Sequence, residues 1–181
     1  MKRPAANVSS IVGIRGRQLL TIGFEREVVA LIPRLRRFAA SLSCDRDAGD
    51  DLCQATLERA LRNRHLWADG SRLDSWMYRM MRNIWIDTLR SQKRRPETID
   101  SEIIAETFGA PGAQEAVVEL SMIDRAMNQL PAEQREAVSL VMIEGFGYKE
   151  ASEIIGCPPG TLNSRLVRGR DKLLGLLGET A

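Results

Sequence analysis

A chain of 181 residues, 44% hydrophobic and with a net charge of +2, can build one medium domain or two small ones, and it is not a generic polycation. Aromatic residues make up only 5%, no strand-like alternation stands out, and Ala, Leu, Arg and Glu dominate, so the chain is expected to be all-α. No apolar run approaches the ~20 residues that cross a bilayer, so no membrane insertion is expected. The basic start, MKRPAANVSSIVGIRGRQLL, lacks the apolar centre of a signal peptide. Cys44, Cys53 and Cys157 show no CxxC spacing and read as ordinary thiols of a reducing compartment, the cytoplasm. His65 is the only histidine, which leaves a His-based zinc site or a Ser-His-Asp triad little support, and no cofactor is expected.

Residues 1–23 lack clear periodicity and are expected to form a flexible extension. From Phe24 the pattern sharpens: Phe24, Val28, Leu31, Leu35, Phe38 and Leu42 step at helical spacing, with Pro33 as an expected kink. Ser43 to Asp47 breaks this helix, and a second follows over about Ala48 to Asn63 through Leu52, Ala55, Ala60 and Leu61. After a loop from Trp67 to Ser71, Ser71 and Asp74 resemble a capping box that opens a third helix. That helix is expected to bury Leu73, Met77, Met80 and Ile84, with Arg79, Asn83, Ile86 and Arg90 on another face. Trp76, near the apolar stripe, is read as core packing.

Charge is segregated along this part of the chain. Arg79, Arg82, Arg90, Lys93, Arg94 and Arg95 face a single Asp87 between Trp76 and Arg95, whereas residues 96–114 carry Glu97, Asp100, Glu102 and Glu106 and no base. A basic helix followed by an acidic spacer implies positioned partners rather than nonspecific adhesion. Pro96 ends the third helix, and Gly109 to Gly112 is the loosest part of the linker. A second helical block begins near residue 115, with Ala116, Leu120, Ile123, Met127 and Leu130 as its stripe and Pro131 in the first turn of the next helix, up to Ile143. The division expected is an extension (1–23), a helical domain (24–95), an acidic linker (96–114) and a second helical domain (115–179).

The stretch from Gly145 to Leu173 is the most informative. Two short helices meet at Gly156-Cys157, and the second is rich in arginine. Leu162, Leu166, Gly169 and Leu173 form one stripe, which must bury against Tyr148, Ala151, Ile154 and Ile155 of the preceding helix. The face left outward carries Gly160, Ser164, Val167 and Arg168, with Thr161 and Asn163 on its flanks. A small helix start lets backbone approach phosphates, Asn163 and Arg168 suit base edges, and Ser164 suits base or phosphate. This is the pattern of a DNA-reading helix-turn-helix.

The order of these pieces resembles the extracytoplasmic-function (ECF) group of bacterial RNA polymerase sigma factors. Four segments carry the resemblance: Asp50-Asp-Leu-Cys-Gln-Ala-Thr-Leu57, Ser75-Trp-Met-Tyr-Arg-Met-Met-Arg-Asn-Ile-Trp-Ile-Asp87, Leu130-Pro-Ala-Glu-Gln-Arg-Glu136 and Gly160-Thr-Leu-Asn-Ser-Arg-Leu-Val-Arg-Gly-Arg170. The resemblance implies a three-to-four-helix region 2-like domain and a region 4-like helix-turn-helix domain. It implies docking on core RNA polymerase through Asp50, Asp51, Gln54 and Leu57. Promoter −10 contacts fall on Trp67, Ala68, Asp69, Gly70, Ser71, Arg72, Arg79, Arg82, Asn83 and Arg90, with a base swung out into the Trp67–Arg72 loop. Contacts to the −35 element fall on Gly160, Thr161, Asn163, Ser164, Val167 and Arg168. An anti-sigma factor partner, a stress or envelope-type regulon and melting driven by binding are implied as well.

Three departures from the family pattern stand out. Asn163 takes a position that is often basic, Pro159 replaces an aliphatic residue, and Trp85 replaces a smaller one. Two other readings fit parts of the chain. A conventional DNA-binding regulator would footprint a palindrome as a dimer without polymerase. A sigma-mimic adaptor would not need to keep Asn83 and Arg168.

Overall fold

The computed structural model describes residues 8–68, 70–92 and 122–178, and among them every regular element is helical. Helices α1 (Val8–Ser43), α2 (Arg46–Arg62) and α3 (Leu73–Gln92), with a 3₁₀ turn at Arg64–Leu66, form the N-terminal module. The second module contains α4 (described over 122–128), α5 (Ala132–Val138), which runs on into a π turn at Ser139–Ile143, then α6 (Tyr148–Ile155) and α7 (Pro159–Gly178). Helix α1 starts at Val8, so most of the segment expected as a flexible extension is helical. Pro33 lies within that continuous helix, where its ring removes one backbone donor.

The α1–α2 corner is fixed by local chemistry. Cys44 takes the left-handed conformation at φ 57°, and the Asp45 carboxylate accepts the Ala48 N–H at 2.7 Å as the N-cap of α2. Gly49 lets the two helices touch backbone to backbone, since a Cβ there would lie 2.9 Å from Ala40 Cα. Phe24, Val28, Leu35, Phe38 and Leu42 then close over Leu52, Ala60, Leu73 and Met77. The stripe predicted for α3 is too narrow: Tyr78 and Met81 are also buried, because α3 packs against α1 and α2 on one side and α6 on the other. The capping box does not form; Ser71 Oγ donates to the Ala68 carbonyl at 2.7 Å, and the Asp74 carboxylate takes the Ser75 N–H at 2.8 Å.

In the second module Gly156 ends α6 at φ 71°, its N–H donating to the Ser152 carbonyl at 2.8 Å. The Pro158 carbonyl then accepts the Thr161 and Leu162 N–H groups at the start of α7. Leu162, Leu166 and Gly169 are buried as the stripe required, and Gly169 is a close approach, since a Cβ would meet Val138 Cγ2 at 2.8 Å. Three expectations are corrected. Tyr148 is 52% exposed and Ile123 44% exposed, so neither anchors its stripe. Pro131 is the N-cap of α5, one residue before the first turn in which it was expected. The proposed linker, residues 96–114, together with Lys93, Arg94, Arg95, Ala116 and Leu120, lies outside the described residues.

The modules are not held apart. Helix α3 lies along α6, and α1 along α5 and the π turn. Phe146 from the second module enters this seam, its ring 4.8 Å from that of Tyr78.

Candidate nucleic-acid interface

Helix α2 presents Asp50, Asp51 and Gln54 to solvent, with Leu57 half-buried beneath them and Leu61 exposed beyond. The N-terminal dipole is already served by Asp45 and Asp47, one turn earlier, so capping does not account for the pair of carboxylates. Asp50 is engaged at 3.2 Å by Arg36, while Gln54 donates to Glu58 at 3.3 Å. Asp51 is exposed, and carboxylates on the same helix as the half-buried Leu57 suit a basic, amphipathic partner helix.

The α3 residues separate into two groups. Arg79 and Asn83 are exposed and share a cleft of about 250 Å³ with Arg59, Asn63, Leu66, Trp76 and Met80. Cationic, amide and aromatic groups around a small concavity suit an unstacked base and its phosphate. Arg59 and Asn63 come from the end of α2, and sequence reading missed them because their contribution depends on where α2 ends against α3. Trp76 both lines this cleft and packs edge-on against Phe24 at 6.5 Å. Trp85 rests partly buried against the core.

The preceding loop is braced. Trp67 packs against Phe24 with the rings tilted and 5.5 Å apart, Gly70 turns the chain at φ 86°, and the Ser71 N–H donates to the Ala68 carbonyl at 2.9 Å. Asp69 lies outside the described residues. Arg90 is exposed, 3.7 Å from Asp87.

Arg72 and Arg82 are set apart from the rest of the α3 group, since each is occupied by the second module. Arg72 pairs with Glu150 at 2.5 Å and with Asp74 at 2.7 Å. Arg82 pairs with Glu136 at 2.5 Å. Burial pushes the Glu136 carboxyl above its ordinary value, and the charges of Arg82 and Arg165 only partly oppose that. Burial also pulls Asp74 upward, but hydrogen bonds from Arg72 and Ser75 and the charges of Arg72 and Arg34 together hold it below its ordinary value.

Helix α7 offers a separate surface. Gly160, Asn163, Ser164, Val167 and Arg168 are exposed, with Thr161 half-buried at the edge. Ser164 Oγ bonds to the Gly160 carbonyl at 2.9 Å, which fixes its rotamer. Arg165, three residues before Arg168, is instead tied to Glu133 of α5 at 2.8 Å. The expected upstream residues therefore share one face, and the bracing arginine lies off it. Among the described residues no cluster of three or more His, Cys, Asp or Glu is arranged to hold a metal, and no helix is long and apolar enough to cross a membrane.

Both modules have counterparts among known proteins. Residues 120–173 match the family described as Sigma-70, region 4, and residues 28–82 match the Sigma2 domain of PhyR. The chain is 40% identical over 158 residues to the ECF RNA polymerase sigma factor EcfG of Rhodopseudomonas palustris, covering 87% of each chain. It is 32% identical to the ECF RNA polymerase sigma factor SigM of Bacillus subtilis, over 77% of this chain and 86% of that one. Among solved structures, the sigma factor RpoE of Bartonella quintana, crystallised with the anti-sigma factor NepR, is similar at a TM-score of 0.70 and 34% identity, over 86% of this chain and 97% of that one. With a region 4 match, a sigma region 2 match and a relative 40% identical over 87% of the chain, the chain belongs to the extracytoplasmic-function group of RNA polymerase sigma factors.

Proposed function

We propose that this chain brings core RNA polymerase to promoters by gripping two DNA elements with two modules, without catalysing a reaction of its own. The acidic and apolar face of α2 (Asp50, Asp51, Gln54 and Leu57) docks on the polymerase in the cytoplasm. Asn83 and the cleft beside it take the −10 element, Arg79, Arg82 and Arg90 hold phosphates, and the Trp67–Arg72 loop receives the base swung out of the duplex. Capture of an unstacked base offsets the few kcal/mol that opening costs, so melting is driven by binding. The outer face of α7 (Gly160, Thr161, Asn163, Ser164, Val167 and Arg168) enters the major groove of the −35 element.

The observation that carries this reading is the separation of the three faces. An acid–leucine patch on α2, a cationic cleft on α3 and a small-then-cationic face on α7 point to different partners. Regulation by an anti-sigma factor is supported by the relative that was crystallised with one.

The test is transcription on genomic DNA with purified core polymerase, followed by sequencing of the 5′ ends. The chain is expected to co-elute with core enzyme and to create defined start sites. A dimeric footprint on a palindrome in the absence of polymerase, with unchanged start sites, would replace this reading with that of a conventional regulator.

A further inference from the structure

Helix α1 supplies no residue to the proposed promoter or polymerase contacts, yet one of its side chains reaches the root of the −10 site. Phe24, 2% exposed, supports two tryptophans at once. The Trp67 ring, at the start of the loop, is tilted against it at 5.5 Å, and the Trp76 ring, on the wall of the cleft, meets it edge-on at 6.5 Å. The Arg64 guanidinium lies over the Phe24 ring at 5.4 Å, and the Arg64 carbonyl accepts the Trp67 backbone N–H at 3.0 Å. The loop and the cleft therefore rest on one aromatic ring that comes from a different helix.

Trp67 also carries an unanswered polar group. Its indole N–H is buried and meets no acceptor among the described residues. An indole nitrogen can only donate, and a dry donor without an acceptor costs free energy until an acceptor arrives. The residue as a whole is only half-buried. Gly70, three positions later, has nothing within 4 Å of the place a Cβ would take, so the loop has room to turn and present the indole.

We infer that Trp67 reads the base swung into the loop, its indole N–H donating to an oxygen or ring nitrogen on the edge of that base, and that Phe24 is a positioning residue that sets the indole for the contact. This rests on the proposed promoter reading and deepens it. That reading gives the loop to a swung-out base; the unpaired donor gives one side chain of the loop a chemistry. Stacking on an aromatic face tolerates any base, whereas a hydrogen bond to a base edge does not. A donor aimed by Phe24 separates bases that present an acceptor at that point from bases that present an amino group. Because the ring is oriented before the strand arrives, little side-chain freedom is lost on capture.

The test uses the chain bound to core polymerase and labelled single-stranded oligonucleotides from the non-template strand of a promoter whose start site has been mapped. Each base of the −10 segment is replaced in turn, and the position most sensitive to replacement is the captured one. Trp67→Phe keeps a ring against Phe24 and removes the N–H. It is expected to cut the preference at that position by about three- to tenfold, the loss of one hydrogen bond, and to leave the preferences elsewhere unchanged. Phe24→Leu keeps the core apolar and removes the ring. It is expected to weaken the same preference, and to have no further effect on it once Trp67→Phe is present. A merely structural role would lower the melting temperature and weaken every oligonucleotide alike, with their ranking intact. An unchanged preference in Trp67→Phe would overturn the donor, and an undiminished effect of Phe24→Leu on top of Trp67→Phe would overturn the positioning. Trp67→Phe, at the half-buried residue, decides the matter if Phe24→Leu does not fold. A wild-type complex that favours no base at any position would sink the promoter reading instead, so the two failures are distinguishable.

Discussion

Arg168 and Arg165 are three residues apart on α7, yet they face different surroundings, and this makes them a sharp pair for mutation. Arg168 is exposed and has no hydrogen-bond or ion-pair partner among the described residues, so Arg168→Ala should leave the fold and its melting temperature unchanged. A bidentate contact to a base edge accounts for about 1–3 kcal/mol. At 1.4 kcal/mol per tenfold, its loss should lower transcription from the preferred −35 sequence by about 5- to 150-fold. The same substitution should flatten discrimination among −35 variants at one position. A phosphate contact would behave differently, weakening all variants equally and reducing the salt slope by about one unit. Arg165 is 2.8 Å from Glu133, and its side chain is largely buried against α5. Because Glu133 is mostly exposed, the pair contributes at most about 1 kcal/mol. Arg165→Ala should therefore lower the melting temperature by a few degrees and leave the promoter preference intact. The assay is multi-round transcription with core polymerase on a set of −35 variants, beside thermal unfolding of the free chain. If Arg168→Ala ranks the variants as sharply as the wild type, the placement of α7 in the groove is wrong.

Asp51→Arg should impair co-elution with core polymerase without changing the circular dichroism spectrum, since Asp51 is exposed and its charge faces outward; normal co-elution would refute the docking face. Gly49→Ala should destabilise by about 1–3 kcal/mol despite its better helix propensity, because the new methyl meets the Ala40 backbone rather than a side chain that can move. Gly175→Ala, with nothing within 4 Å of its added methyl, should instead stabilise by about 0.5–1 kcal/mol, and both are read by denaturant titration. Asp74 and Glu136 should give opposite pH dependences. The lowered Asp74 value contributes stability that is present above the ordinary aspartate range and is lost as pH falls through the folded value. The raised Glu136 value means that the folded chain holds its proton more tightly, so stability declines as pH climbs from the ordinary glutamate range through the raised value. Denaturation midpoints across acidic to neutral pH should lose the first limb in Asp74→Asn and the second in Glu136→Gln.

What the sequence displayed best was whatever repeats at helical spacing within one element. The Leu162–Leu166–Gly169 stripe and the Phe24–Leu42 series both lie where the period put them. The outward face of α7 followed from the same arithmetic. Elements that touch across long separations were hidden. Tyr78 and Phe146 read as unremarkable aromatics because each completes a surface supplied by the other module. Arg72 and Arg82 read as −10 contacts, and no local signal disclosed the glutamates 78 and 54 positions later that hold them. Tyr148 and Ile123 failed in the other direction: a helix of eight residues does not bury every apolar position that its period allows, and Ile123 stays 44% exposed. The cleft residues Arg59 and Asn63 lay beyond sequence reading because a concavity belongs to a pair of helices rather than to either one.

The π turn at Ser139–Ile143 closes with the Glu144 N–H on the Ser139 carbonyl, one residue wider than an α-turn. At 3.6 residues per turn, that surplus residue turns whatever follows by about 100°. Shortening the stretch by a single residue would leave α5 and α6 spelled as before, yet it would aim the Glu144 carboxylate away from Arg34 and Tyr78. The widened coil thus acts as a ratchet tooth: the length of five residues, more than their identity, decides whether the two halves of the molecule recognise each other.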